Sequence, residues 1–292
     1  MSVTWNEAPP PPETKLGPMG WLRVILRGTL LGSVTYIGLM LLLLLRLIER
    51  PIWGLRRPLT PFITQAVCRM ALLILGLRLK TRGRPMKERG AVVANHVSWM
   101  DIFTLNAVQR IYFVSKDEVA RWPAIGWLAR ATGTVFIERK GSQAMAQKNL
   151  FEARLRAGHQ LLFFPEGTST DGIRVLPFKS TLFAAFFAGG LDEILSIQPV
   201  SVIYHAPKGE DPRFYGWWGE MDFGPHLVKM LSAPRHGLVE VVFHDPVKVS
   251  EVKDRKALAQ HCEAEIRRAL EEALPPAARP QAQEPTTARL AR

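Results

Sequence analysis

The stretch Gly90-Ala91-Val92-Val93-Ala94-Asn95-His96-Val97-Ser98-Trp99-Met100-Asp101 decides the fold of this 292-residue chain. A short apolar run ends in small polar residues, and sequence suited to a helix follows. Strand, turn and helix is the reading. The same unit recurs downstream. Ala91–Ala94, Ile111–Ser115, Thr134–Ile137, Gln160–Phe164, Ile197–Tyr204 and Val239–Phe243 read as strands. Segments near Met100–Val108, Ser142–Arg156, Ser180–Ala188 and Val252–Ala273 read as helices. Such alternation predicts an α/β domain with a mostly parallel sheet flanked by helices. Sheets of that kind bind ligands beyond the carboxyl ends of their strands. His96, Lys116, Arg139 and Glu166 follow the first four strands, so one site is expected to draw on all four.

Upstream the character changes. No charged residue lies between Gly28 and Leu45, and the end of that run is rich in leucine. Eighteen helical residues cover roughly 27 Å, close to the thickness of a hydrocarbon core. The run starts late and no small-residue cleavage site follows, which disfavours a signal peptide. Arg46, Arg50, Arg56 and Arg57 outweigh Arg23 and Arg27 on its flanks. A spanning helix would therefore leave the downstream domain cytoplasmic. Length and composition do not choose between a helix that spans and one lying in a single leaflet. A second apolar stretch, Pro61–Leu77, contains Arg69. It reads equally as an interfacial amphipathic helix or as one packed on the domain. The expected organisation is a disordered N-terminus over 1–20, membrane-attachment helices over 21–82, a catalytic domain over 83–274 and a disordered tail over 275–292.

Composition narrows the function. Hydrophobic residues make up 47% of the chain and charged residues 22%, too many charges for a bundle of spans throughout. The net charge of +12 suits anionic lipid or an acidic partner protein. Nucleic acid is disfavoured, because no zinc-finger spacing, RNA-binding aromatic motif or basic arm is present. Cys68 and Cys262 stand in unrelated surroundings, which suits packing roles in a reducing compartment.

A histidine with an aspartate five residues on is common by chance. Its position at a strand-to-helix turn gives it weight. Asn95 and Ser98 read as capping residues, which would leave His96 in an exposed loop and Asp101 in the first helical turn. The carboxylate could then fix the imidazole and leave its other nitrogen to take a proton from a substrate hydroxyl. The competing reading is a capped helix with Asp101 complementing its dipole. No Gly-x-Ser-x-Gly elbow, P-loop or His-Glu-x-x-His motif is present. Direct attack by the acceptor on an activated acyl group therefore fits better than a covalent enzyme intermediate.

Four ordered blocks make the chain resemble the glycerolipid acyltransferases of the 1-acylglycerol-3-phosphate O-acyltransferase type. They are Asn95-His96-x4-Asp101, Gly133-Thr134-Val135-Phe136-Ile137-Glu138-Arg139, Phe164-Pro165-Glu166-Gly167-Thr168 and Ile197-Gln198-Pro199-Val200. The resemblance implies a membrane-bound enzyme in which His96 is the general base and Asp101 its orienting partner. Arg139 and Lys116 would contact the acceptor headgroup. Glu166, Gly167 and Thr168 would shape the acceptor pocket. The implied donor is acyl carrier protein or coenzyme A, the implied acceptor a lysolipid hydroxyl, and no metal or cofactor is required. The implied location is the bacterial inner membrane.

One departure bears on the acceptor. Family members usually continue Glu-Gly-Thr with arginine, whereas this chain has Ser169. Losing a guanidinium fork weakens phosphate recognition. Either Arg174 substitutes, or the acceptor carries no phosphate. The second option favours a likeness to bacterial lyso-ornithine lipid acyltransferases over those acting on lysophosphatidic acid. Elsewhere, Phe183, Phe186 and Phe187 read as helix core in preference to a measure of acyl length. Tyr215, Trp217 and Trp218 fit an interfacial loop or a capped surface loop equally. Lys179 either lines the pocket or is solvated. The remaining six histidines carry no motif.

Overall fold

The computed structural model describes residues 5–11, 16–137, 144–187 and 190–275. A long helix, α1 (Pro18–Trp53), opens the fold and is followed by α2 (Thr60–Leu75). Strands β1 (Arg78–Arg82) and β2 (Gly90–Ala94) lead to α3 (Asp101–Val108). Then come β3 (Tyr112–Lys116), α4 (Asp117–Ala120), α5 (Ile125–Thr132), β4 (Val135–Ile137), α6 (Ala144–Arg156) and β5 (Leu161–Phe163). A 3₁₀ segment (Ser180–Phe187) precedes β6 (Ser196–His205) and α7 (Phe223–Ser232). The described chain closes with β7 (Leu238–Phe243), β8 (Val247–Lys248) and α8 (Arg255–Ala273).

The strands form one sheet in the order β1-β7-β6-β2-β5-β3-β4, with β8 beside β6. Only the β6–β7 and β6–β8 pairings are antiparallel. All six strands expected from the sequence are present, with ends shifted by one residue or none. Two were not foreseen. β1 reads Arg-Leu-Lys-Thr-Arg and carries the charges that protect an edge strand. β8 has two residues, too few to show a period.

Alternation along β2 sorts the core into two layers. Val92 and Ala94 face Leu72 and Leu75 of α2, Met100 and Leu105 beside or in α3, and Met230 of α7. Ala91 and Val93 face Phe151 and Leu155 of α6, the 3₁₀ phenylalanines Phe183 and Phe186, and Leu258, Cys262 and Ile266 of α8. Phe183 and Phe186 are fully buried, as core residues should be. Burial also pushes the thiols of Cys68 and Cys262 up to about 12, in keeping with packing roles.

The α1–α2 hairpin lies along this domain. Close contact near its middle depends on Gly38, where a Cβ would stand 2.3 Å from Val67 Cγ2. At one end, Arg23 Nε donates to the Ser232 carbonyl and Arg27 Nη1 to those of Leu231 and Ala233. These carbonyls close α7, where a helix dipole favours cations. At the other end, buried Glu49 accepts from the amides of Leu59 and Thr60 and from the Thr60 hydroxyl, so it starts α2. Arg69 Nε and Gln65 Nε2 both donate to the Ala107 carbonyl, which decides that α2 packs on α3. The outer side still exposes Phe62, Met70 and Leu73, together with a row of large apolar residues on α1. Residues 5–11 cross the domain surface, with Trp5 buried and tilted against Trp218, whose Nε1 donates to the Ala8 carbonyl.

Candidate active site

The strand β2 ends at Ala94 and its chain turns sharply before α3. Asn95 was expected to cap that helix but does something else. Its amide exchanges two hydrogen bonds with the Val202 backbone, donating to the carbonyl at 2.9 Å and accepting from the N–H at 2.8 Å. The turn is thereby stitched to β6. The helix start is left to Ser98, whose carbonyl accepts from Asp101 N and whose hydroxyl accepts from Met100 N.

Asp101 folds back into the turn. Its Oδ2 lies 2.8 Å from His96 Nδ1 and also accepts from the amides of Val97 and Ser98. Three bonds to one oxygen hold the carboxylate in place. Since that oxygen accepts, Nδ1 carries the proton of the neutral ring and Nε2 is left as the basic nitrogen. The aspartate is fully buried while the imidazole keeps 20% of its surface exposed, so the pair presents one open face. Phe164 stacks on the imidazole at 4.0 Å and fixes its plane. Beneath, Tyr204 bonds to Thr104, and burial beside the Asp101 carboxylate holds its phenol well above the usual range.

Glu166 ties the second motif to the first. Oε1 accepts from His96 N and Oε2 from Leu176 N, both at 2.8 Å. Burial pushes this carboxyl up to about 8 against those two donors. With both oxygens facing backbone amides and the side chain buried, Glu166 braces the loop from behind. Gly167 has φ +74°, and a Cβ there would lie 2.6 Å from Lys179 Nζ. The exposed ammonium of Lys179 therefore rests on the Gly167 turn. Thr170 donates from both its amide and its hydroxyl to the His96 carbonyl, and Trp217 N donates to that of Val97. Thr170 did not stand out in the sequence and Trp217 did so only for its aromatic ring, since a backbone anchor leaves no motif.

The structure brings His96, Asp101, Glu166, Gly167 and Thr168 together at the adjacent carboxyl ends of β2 and β5. Lys116, half-buried, ends β3, which pairs with the other side of β5. Arg139 lies outside the described residues. Arg174 does not turn into the site. It is held by both oxygens of Asp171 and lies 4.8 Å from the Trp5 ring centroid. Tyr215 and Trp218 are buried, so their loop is capped and not interfacial. His226 links that loop to the His96–Asp101 turn, because Nδ1 accepts from Trp99 Nε1 and Nε2 donates to the Gly216 carbonyl. Burial pulls its imidazole down to about 3, as a permanently neutral ring requires.

A family model described as Acyltransferase matches residues 78–203, the span that carries this constellation. The lyso-ornithine lipid O-acyltransferase of Rhodobacter capsulatus is 61% identical over 90% of this chain and 95% of its own length. This chain belongs to the acyltransferase family. A 1-acyl-sn-glycerol-3-phosphate acyltransferase of Neisseria gonorrhoeae, another relative, is 32% identical over 68% of this chain and 76% of its own. The acyltransferase fold is shared with the 1-acyl-sn-glycerophosphate (LPA) acyltransferase PlsC of Thermotoga maritima. That structure superimposes with a TM-score of 0.61 at 21% identity, over 87% of this chain and 94% of the other.

Proposed function

We propose that this acyltransferase esterifies the hydroxyl of a lyso-ornithine lipid, with His96 as general base and Asp101 as its orienting partner. The observation that carries the chemistry is the one-sided pair: a buried carboxylate bonded to Nδ1 of an imidazole that keeps 20% of its surface exposed. Nε2 takes the proton as the acceptor oxygen attacks the donor thioester carbon. The carbon–sulfur bond then breaks, and the imidazolium returns its proton to the leaving thiolate. No bond to the enzyme forms. Asp101 stabilises the imidazolium in between, a role that removes the need for a second base.

The acceptor follows from the charges beside the pair. Ser169 stands where relatives commonly have arginine, and Arg174 is engaged by Asp171. Among the described residues, the charge resting on the Glu166–Thr168 loop is the ammonium of Lys179, with Lys116 at the end of β3 beside β5. A point charge suits the carboxylate of an acyl-ornithine, whereas a phosphate is better met by a guanidinium fork. The 61% identity to a relative of that name supports the same acceptor. Acyl carrier protein is the proposed donor, since its acidity complements a chain of net charge +12.

The hairpin supports work at the bilayer interface. α1 has the length and apolarity to cross a membrane, yet its two ends are tied to the same domain through Arg23 and Arg27 at one and the Glu49-capped α2 at the other. A helix of about 54 Å anchored at both ends cannot cross while its domain stays on one side. Lying in one leaflet, with its exposed leucines in lipid, satisfies both constraints. The cytoplasmic face of the inner membrane is the proposed location, where acyl carrier protein is available.

Acyl transfer by membranes holding wild type or His96→Ala tests this, with lyso-ornithine lipid and lysophosphatidic acid offered in parallel and acyl carrier protein as donor. Histidine-dependent product from lyso-ornithine lipid is expected. Product from lysophosphatidic acid in preference would overturn the acceptor, and free fatty acid as sole product would make the protein a hydrolase.

A further inference from the structure

The seam between hairpin and domain holds cations that the transfer reaction does not use. Arg57 sits between α1 and α2, Arg154 near the end of α6, and His159 just before β5. Arg57 Nη1 donates to the Ala131 carbonyl and Arg154 Nη2 to that of Gly133. The two guanidiniums are neighbours: a Cβ on Gly133 would stand 3.0 Å from Arg57 Cζ and 3.1 Å from Arg154 Nη2. Arg154 also lies 4.7 Å from the Tyr112 ring centroid, and His159 stacks on that ring at 4.3 Å. Arg154 and His159 are more than nine-tenths buried. The Nε atoms of both arginines have no hydrogen-bond partner among the described residues, and neither ring nitrogen of His159 makes a well-formed one.

Two adjacent cations, Arg154 buried and Arg57 half-buried, repel, and each unpaired N–H adds a desolvation cost. Burial and this crowding pull the Arg154 guanidinium down to about 10 and the His159 imidazole down to about 3. The carboxylate acting on Arg57 is that of Glu49. It is already occupied by Leu59, Thr60 and Arg46. A small cleft of about 10 Å³ opens beside the cluster, its lining part apolar and part polar, the polar side made by Arg57, Thr60, Thr64, Asn106, Tyr112 and Thr132. Leu59 and Phe62, flanking Thr60 in the chain, are exposed apolar residues.

We propose that the mouth of this cleft binds the phosphodiester headgroup of an anionic membrane lipid. Arg57 meets the phosphate, the Thr64 hydroxyl donates to one of its oxygens, and Arg154 adds positive field from behind. Phosphate is also present in the acyl donor, but location favours the bilayer. Tyr112 opens β3, Gly133 precedes β4 and His159 precedes β5, so the cluster sits at the amino ends of the strands. His96 sits at the carboxyl ends. A donor reacting at His96 would leave its own phosphate on the other side of the sheet. The cleft instead lies between the two hairpin helices and the domain, where lipid headgroups would be at hand.

Thermal unfolding of the full chain in zwitterionic micelles tests the proposal, with phosphatidylglycerol, phosphatidylcholine, inorganic phosphate or coenzyme A added in separate arms. Phosphatidylglycerol alone should raise the wild-type Tm by roughly 2–4 °C or more. Arg57→Met should abolish that rise without lowering the lipid-free Tm, because relief of repulsion offsets the lost bond to Ala131. A purely structural Arg57 predicts the reverse: a lower Tm in every arm and an intact lipid response. The exposed control Arg50→Met should respond as wild type does. An equal rise in Arg57→Met, no rise with phosphatidylglycerol, or a rise of the same size with coenzyme A would each overturn the assignment. Should Arg57→Met fail to fold, Thr64→Val must shrink the phosphatidylglycerol response, and an unchanged response is equally fatal.

Discussion

The catalytic turn and the hairpin seam are both polar places inside an apolar fold, and they treat their charges in opposite ways. At the turn, Asp101 Oδ2 serves three donors, Glu166 serves two backbone amides, and the backbone around His96 is pinned by Thr170 and Trp217. At the seam, two arginines crowd one point with unpaired Nε atoms. Of the turn's buried side-chain polar atoms, only Asp101 Oδ1 lacks a hydrogen bond among the described residues, as suits a network that must hold one nitrogen still while a proton moves. The seam leaves four such atoms unpaired, two of them arginine Nε. Satisfied polar networks preorganise a reaction, whereas unsatisfied ones store an affinity.

The largest expected effect falls on the turn. His96→Ala should lower acyl transfer by roughly 10²–10⁴-fold, the usual contribution of a positioned base. Its Tm should change little, because the ring makes one side-chain hydrogen bond and one stacking contact. Asp101→Ala should lose comparable activity and also stability, since two amides inside the turn are orphaned at about 1–3 kcal/mol each. Steady-state rates beside unfolding curves separate the two variants. An Asp101→Ala protein as stable as His96→Ala would break the claim that this carboxylate holds the turn together.

How much of this was legible beforehand follows from what each residue does. The His96–Asp101 contact was readable because the strand-turn-helix context put the two side chains within reach. The six core strands were readable from apolar runs that bury both faces. Asn95 was misread, since capping and cross-strand bonding call for the same side chain and differ only in what lies opposite. Thr170 and Trp217 act through the backbone, which any residue could supply. The Arg57–Arg154 contact joins positions 97 residues apart, and no local pattern announces it. Arg174 needed Asp171 and Trp5 to explain why it is unavailable.

A pH titration probes the linking histidine between turn and loop. His226 has a folded value near 3 against about 6.5 for a free ring, so the unfolded chain takes up a proton that the fold refuses. Its contribution is intact above pH 6.5 and is lost as pH falls toward 3, at up to about 1.4 kcal/mol per pH unit. Chemical unfolding of His226→Gln across that window should show a shallower slope than wild type. Identical slopes would mean that the ring is not held neutral by burial.

A smaller change is expected where the turn meets its acceptor. Lys179→Met should raise KM for lyso-ornithine lipid about tenfold, the scale of one charge-assisted contact, and leave kcat largely intact. Ser169→Arg should shift preference toward lysophosphatidic acid by supplying the missing fork. A kcat effect from Lys179→Met with constant KM would move this lysine from headgroup binding to the chemistry.

The smallest effect sharpens the contrast from the hairpin side. Arg69 gives α2 one charged hydrogen bond to the Ala107 carbonyl, which Gln65 also bonds, while Cys68, Leu72 and Leu75 supply the apolar contact. If packing holds the hairpin to the domain, Arg69→Met should lower stability by only about 1 kcal/mol, because Gln65 keeps the carbonyl satisfied and the new thioether fills the space. Leu72→Ala should lower it by roughly 2–5 kcal/mol. The reverse ranking in unfolding experiments would mean that polar bonds clamp the hairpin, and the seam would then resemble the catalytic turn more than its unpaired arginines suggest.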